Sequence, residues 1–85
     1  MDYYVYILYS LSKDLYYTGF THEISTRLLK HNAGATPSTR PGIPWKIVYF
    51  ETYENKHDAI LRENEIKKMK SRIYIEKLIF NLTVV

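Results

Sequence analysis

The chain has 85 residues and no cysteine, which excludes disulfides, thiolate nucleophiles and zinc sites of the thiolate kind. Its length allows one domain, expected over residues 1–85, and its 46% hydrophobic and 25% charged residues exclude a disordered chain. A formal net charge of +3 weakly favours a polyanionic partner, and the lack of a signal sequence or membrane-spanning segment predicts a cytoplasmic protein without a membrane partner.

The first two predicted elements are strands, at residues 3–9 and 15–20. Both are rich in aromatic and β-branched residues, and most of the chain's nine tyrosines lie in or beside them. The short polar link between the strands predicts an antiparallel hairpin. Neither strand alternates cleanly between apolar and polar residues, so we expect at least one of them to be covered on both faces.

A helix and a long loop are predicted next. Ile24, Leu28 and Leu29 fall at helical spacing, and Thr21 can cap a helix that ends near residues 32–34. Residues 35–44 contain all three prolines and predict an irregular loop. A loop of this length in a small domain often carries function.

The second half of the chain predicts a strand and two further elements. Residues 45–53 read as a third strand, and Asn55 followed by Asp58 predicts a capped helix that runs to about residue 70. The tail has helical spacing, but its β-branched residues leave a terminal strand possible. The predicted fold is therefore α+β, a single small domain with a small antiparallel sheet flanked by helices in the order β-β-α-β-α-α.

Three polar residues lie against the apolar pattern of the two predicted helices. Arg27 and His31 are one turn apart and flank the apolar stripe of the first helix, and Glu63 lies between Ala59 and Ile66 on the second. A carboxylate at such a position is costly unless a cation or a metal ion meets it. Structural roles remain open: an arginine over the edge of the core, a histidine bonded to a backbone carbonyl, and a glutamate paired with a lysine or with Arg27.

Basic residues form two groups that could contact the phosphates of a nucleic acid. One group lies on the first helix and the proline loop, and the other runs from residue 67, near the end of the second helix, to residue 77. Such groups beside tyrosine, tryptophan and histidine suit phosphate contacts and base stacking, although a solvated helix face is an equally good explanation of a lysine run. The predicted nucleic-acid-binding residues are Arg27, Lys30, Arg40, Lys67, Lys68, Lys70 and Arg72.

The order of these polar residues resembles the GIY-YIG nuclease superfamily, including its small stand-alone members. The matching positions are, in chain order, Val5-Tyr6-Ile7, Tyr17-Thr18-Gly19, Arg27, His31 and Glu63. The resemblance extends from about residue 3 to residue 72. It implies a three-stranded antiparallel sheet flanked by helices, and cleavage of DNA phosphodiester bonds with one divalent metal ion, Mg²⁺ or Mn²⁺.

The resemblance also implies a role for each matching side chain. Glu63 would be the metal ligand, and Arg27 would hold the scissile phosphate with its planar fork of donors. Tyr6 and Tyr17 would orient the attacking water, Tyr6 would accept its proton, and His31 would assist. A free phenol has a pKa of about 10, so ionising it in advance at neutral pH costs roughly 4 kcal/mol.

Several positions depart from the family's pattern. Val5 and Thr18 replace a glycine and an isoleucine of the two signatures, where the backbone matters more than the side chain. Phe20 and Ile75 stand where nuclease domains of the UvrC type have a lysine and an asparagine. We expect Gly19 to allow backbone or substrate to approach closely, without a chemical role of its own.

The predicted function is a metal-dependent DNA endonuclease, acting in DNA repair or processing on DNA that could be branched or damaged. The chain has no room for a separate DNA-binding domain, so an unknown protein partner could supply specificity. The alternative is a non-catalytic nucleic-acid-binding module on the same scaffold, which would depend on the basic residues and not on Glu63. A protein adaptor that uses the tyrosine-rich surface is a third class, with no positive indication in the sequence.

Overall fold

The chain forms one three-stranded antiparallel sheet and three helices in the computed structural model, which describes residues 1–83. The strands are β1 (Tyr3–Ser10), β2 (Leu15–Thr21) and β3 (Trp45–Tyr53), and the helices are α1 (Ile24–Asn32), α2 (Lys56–Met69) and α3 (Arg72–Thr83). This order confirms the predicted α+β fold. The tail is helical as far as it is described, so the alternative of a terminal strand is wrong there. No helix of residues 1–83 is long and apolar enough to cross a membrane.

The central strand β1 is covered on both faces, which explains why it does not alternate. The sheet order is β2-β1-β3, and the four residues from Val5 to Leu8 are all buried. Successive residues of a strand point to opposite faces. Val5 therefore packs with residues of α2 and α3, whereas Tyr6 and Leu8 pack with Trp45 and, from α1, Leu28. The sheet separates an α2–α3 core from an α1 face.

The starts of α1 and α2 differ in how they are capped. Thr21 is the last residue of β2, and its hydroxyl accepts from the backbone N–H of Glu23 (3.1 Å) ahead of the helix, so the predicted cap by Thr21 is wrong. Asn55 does cap α2, because its Oδ1 accepts from the backbone N–H of Asp58 at 2.9 Å. The end of α2 is marked by Lys70, which adopts the left-handed conformation (φ 47°).

A hydrogen-bonded ion pair joins β3 to both C-terminal helices. Arg62 of α2 donates to the two carboxylate oxygens of Glu51 at 2.9 and 3.0 Å, and to the hydroxyl of Tyr74 on α3 at 3.0 Å. Tyr49 and Tyr53 donate to the same carboxylate. Burial alone would raise the pKa of Glu51, but these hydrogen bonds lower it below its usual value. Three tyrosine hydroxyls are thus satisfied away from the α1 face.

Candidate active site

A chain of hydrogen bonds connects Tyr6 on β1 to the proline loop through His31 on α1. The Tyr6 hydroxyl lies 3.0 Å from His31 Nε2, and His31 Nδ1 lies 2.8 Å from the hydroxyl oxygen of Thr39. Thr39 donates its own proton to the carbonyl of Thr36 at 3.2 Å. When Thr39 donates in this way, its oxygen accepts from Nδ1–H of His31 and Nε2 is left to accept the Tyr6 proton; when Thr39 donates to Nδ1 instead, Nε2–H donates to Tyr6. The alternative of a histidine bonded to a backbone carbonyl is wrong.

The surroundings keep Tyr6 and His31 in their neutral forms. Burial raises the pKa of Tyr6 well above its usual value, and Tyr17 and Glu63 add to the increase while the charge of Arg27 opposes it. Burial also lowers the pKa of His31, and the charge of Arg27 lowers it further. Tyr17, Arg27 and Glu63 are therefore all close enough to act electrostatically on Tyr6. Of the five predicted catalytic residues, Tyr6, Tyr17 and His31 are in contact, and Arg27 and Glu63 lie within electrostatic range of Tyr6.

Tyr17 completes an aromatic wall beside His31. Its ring centroid lies 5.1 Å from that of His31 and 6.4 Å from that of Tyr6. Gly19 faces Tyr6 across the β1–β2 ladder, and a Cβ at Gly19 would lie 2.6 Å from the Tyr6 hydroxyl oxygen and 3.2 Å from a ring carbon of Tyr17. The close approach expected at Gly19 is made by the Tyr6 side chain. Only glycine leaves room for the phenol there.

Glu63 lies on α2, and its carboxylate forms an ion pair with a lysine of the same helix. Its side chain is 13% exposed, and Oε2 lies 3.0 Å from Nζ of Lys67, one turn further along the helix. Lys67 Nζ in turn lies 5.9 Å from the centroid of the Tyr17 ring. A glutamate paired with a lysine, one of the alternatives left open by the sequence, is what the structure contains.

The donor set around Glu63 suits a hard divalent ion. No group of three or more histidine and carboxylate side chains that could hold a metal ion exists among residues 1–83. An ion here would have one protein carboxylate and otherwise water or substrate oxygens. Mg²⁺ is commonly bound in this way, by one or two carboxylates together with waters and phosphates. Such an ion would compete with the Lys67 ammonium group for Glu63.

The proline loop is held rigidly against the sheet, and it places Thr39. Ser10 donates to the carbonyl of Gly42 at 2.6 Å, and the Trp45 indole donates to the carbonyl of Thr39 at 2.7 Å. The Asn32 side chain exchanges two hydrogen bonds with the backbone of Trp45, at 2.7 and 3.0 Å. These contacts hold the loop against the end of β1 and the start of β3, and they hold the start of β3 against the end of α1. Thr39 is the site residue that the sequence did not reveal, because nothing local to it predicts a contact with α1.

The predicted nucleic-acid-binding residues differ in how free their charges are. Arg27, Lys30, Lys67, Lys68 and Lys70 are exposed, and Lys67 is paired with Glu63. Arg40 donates to the carbonyl of Gly34 at 2.9 Å. Arg72 is paired with Asp14 at 2.7 Å and with Glu76 at 3.3 Å, so two carboxylates balance its charge. Binding of nucleic acid by this set stays a prediction.

The sequence profile of the GIY-YIG catalytic domain matches residues 2–78. The chain belongs to the GIY-YIG family. It is 37% identical over 83 residues to a UPF0213 protein of Natronomonas pharaonis, covering 96% of this chain and 95% of the relative. It is 46% identical over 67 residues to a UPF0213 protein of Clostridium perfringens, covering 78% and 71%. The solution NMR structure of a UPF0213 protein from Bacillus halodurans matches with a TM-score of 0.58 at 34% identity, over 93% of this chain and 83% of that one.

Three of the positions that depart from the wider GIY-YIG pattern, Val5, Phe20 and Ile75, lie in the hydrophobic core. Phe20 and Ile75 both pack against the cluster of Val5, Ala59 and Ile66 between the sheet and the C-terminal helices. Val5 is itself fully buried. Phe20 and Ile75 therefore pack the core at the two positions where the resemblance to UvrC-type domains would place a lysine and an asparagine. A chemical role for Tyr6, Tyr17, Arg27, His31 and Glu63 stays a prediction.

Proposed function

We propose that this GIY-YIG protein is a metal-dependent endonuclease that hydrolyses DNA phosphodiester bonds. The reaction would take place in the pocket of Tyr6, Tyr17, Arg27, His31 and Glu63. The observation that supports this most is the 3.0 Å hydrogen bond between the Tyr6 hydroxyl and His31 Nε2, because it gives the phenol a proton acceptor. DNA repair or processing, a protein partner that supplies specificity and a cytoplasmic location stay predictions.

The hydrogen bond removes the difficulty of a tyrosine base. Ionising a phenol in advance at neutral pH would cost roughly 4 kcal/mol, and Tyr6 avoids this cost because it loses its proton only as it gains one from water. As water attacks the phosphorus, its proton passes to the Tyr6 oxygen while the Tyr6 proton passes to His31 Nε2. The phosphorus–oxygen bond to the leaving group breaks, and the leaving oxygen takes a proton from solvent. Thr39 accepts from Nδ1–H throughout, so the imidazolium that forms keeps its orientation. Tyr17 would hold the water against Tyr6.

Arg27 would bind the scissile phosphate and, in doing so, would tune His31. The charge of Arg27 lowers the pKa of His31 in the free protein. A phosphate bound to the guanidinium offsets that charge, so His31 becomes a better proton acceptor once substrate is in place. A divalent ion bound to Glu63 would neutralise phosphate charge and acidify the attacking water. Substrate binding and proton transfer would thus be coupled through one arginine.

The proposal is tested by cutting plasmid, single-stranded and branched DNA with Mg²⁺ or Mn²⁺. We expect Glu63→Gln to slow cutting by roughly 100-fold or more, since it removes the one carboxylate ligand. Glu65→Gln is the matched control, because Glu65 is an exposed neighbour on the same helix that pairs with Arg62. Circular dichroism confirms that both variants fold. Equal cutting by the two variants would contradict the assignment of Glu63.

The same experiment separates catalysis from simple binding. A non-catalytic module would bind DNA, would cut none of the substrates with either metal, and would be insensitive to Glu63→Gln. The basic residues alone are enough for such binding. DNA binding without metal-dependent cutting would therefore contradict the proposed endonuclease and support the non-catalytic binding module.

A further inference from the structure

A second cleft lies beside Arg27, where the end of β2, α1 and the first turn of α2 meet. Its volume is about 470 Å³, and Tyr3, Phe20, Thr21, His22, Arg27 and Lys56 line it. The basic residues come from three elements: His22 follows β2, Arg27 belongs to α1, and Lys56 is the first residue of α2. The sequence did not predict a role for His22 or Lys56, because 34 residues separate them.

The charge of this cleft is positive. No carboxylate is among the described residues that line it. The 14-residue helix α2 begins there, and its N-terminal end adds a partial positive charge to that of Lys56. Three carboxylates flank the cleft in the chain without lining it: Asp2 beside Tyr3, Glu23 beside His22, and Asp58 in the first turn of α2, where it accepts from the side-chain amide of Asn55 at 3.0 Å.

In the basic stretch from Lys67 to Lys77, two of the cations already have carboxylate partners. In that stretch Glu63 balances Lys67, and Asp14 and Glu76 balance Arg72. Neither Arg27 nor Lys56 forms an ion pair within residues 1–83. The cleft therefore brings together two unpaired cations from different helices; Lys68, Lys70 and Lys77 are also unpaired within residues 1–83, but none of them lines the cleft.

We propose that this cleft binds a phosphate of the DNA backbone next to the phosphate held at Arg27. The inference rests on the proposed function, because Arg27 belongs both to the cleft and to the active site, where it acts on Tyr6 and His31. A strand whose scissile phosphate meets Arg27 continues toward His22 and Lys56. Contacts of this kind position the strand without reading its sequence.

The test compares Lys56→Gln with Lys77→Gln, which removes an equal charge from an exposed site on α3 outside the cleft. Binding of a short labelled DNA is measured by fluorescence anisotropy at several salt concentrations, with EDTA present so that no metal-dependent cutting occurs. We expect Lys56→Gln to weaken binding roughly five- to tenfold near 0.1 M salt and to reduce the slope of log K against log salt by about one. Lys77→Gln should leave both quantities nearly unchanged.

Two failures are distinguishable in this experiment. If the wild-type protein binds and cuts DNA but Lys56→Gln behaves as Lys77→Gln does, the phosphate site is wrong and the proposed function stands. If the wild-type protein neither binds nor cuts DNA, the proposed function fails and this inference fails with it.

Discussion

At the scale of single residues, one hydroxyl determines the state of the candidate base. With the Thr39 proton on the Thr36 carbonyl, the arrangement that the proposed mechanism requires, its oxygen accepts from Nδ1–H of His31. That fixes which ring nitrogen of His31 carries the proton, and hence that Nε2 faces Tyr6 as an acceptor. Thr39 is a positioning residue, because it acts on Tyr6 only through His31.

We expect Thr39→Val to remove this control while preserving the shape of the side chain. Cutting should slow by about 10- to 100-fold, as for other residues that orient a catalytic group, and Thr39→Ser should restore most of the rate. The ¹⁵N chemical shifts of His31 at neutral pH should show Nδ1–H in the wild-type protein and a loss of that preference in Thr39→Val. Unchanged shifts in Thr39→Val would show that Thr39 does not select the tautomer.

At the scale of secondary structure elements, the position of Glu63 depends on the anchoring of α2. Arg62, its neighbour in the chain, forms the two-pronged ion pair with Glu51 on β3 and reaches Tyr74 on α3. The side chains of Arg62 and Glu51 are only 19% and 18% exposed. This pair holds α2 against the sheet from the side opposite α1, so it supports the site without touching it.

Arg62→Met should destabilise the fold by about 2–4 kcal/mol, because it leaves the carboxylate of Glu51 in place without its cation. Arg72→Met is the control, since the ion pairs of Arg72 are exposed to solvent and such pairs contribute little to stability. Urea denaturation measures the free energy of unfolding of each variant. Equal losses in the two variants would show that the Arg62–Glu51 pair does not anchor α2.

At the scale of the whole molecule, the two faces of the sheet carry different parts: the α2–α3 core lies on one face, and Tyr6 and His31 lie on the other. One face of β1 packs through Val5 against α2 and α3, and the other presents Tyr6 to α1 and the proline loop. This arrangement lets an 85-residue chain combine a core with a polar site.

Much of this arrangement was predictable, because local patterns determine the elements. The tyrosine-rich runs predict β1 and β2, and the Asn55 cap predicts the start of α2. The predicted cap at Thr21 was wrong, because a threonine at the end of a strand looks in sequence like the N-cap of the helix that follows. Local patterns could not predict contacts between residues far apart in the chain, such as the ion pair of Arg72 and Asp14, which are 58 residues apart.

The candidate catalytic set was predictable only through the resemblance to the GIY-YIG family. Periodicity marked Arg27, His31 and Glu63 as misplaced, and it left structural roles equally possible. Nothing in the pattern of β1 separates Tyr6 from the tyrosines that pack the sheet. The hydrogen bond to His31 distinguishes it, and that contact spans 25 residues.

The most direct test of the account is the single-turnover cutting rate of Tyr6→Phe, compared with that of Tyr9→Phe. Both variants lose one hydroxyl, but the Tyr9 hydroxyl donates to Asp14 at the surface, at 2.6 Å. A proton acceptor in the reaction is worth about 10²- to 10⁴-fold, so Tyr6→Phe should lose that much while Tyr9→Phe cuts at nearly the wild-type rate. If folded Tyr6→Phe cuts DNA as fast as Tyr9→Phe does, Tyr6 is not the base and the mechanism is wrong.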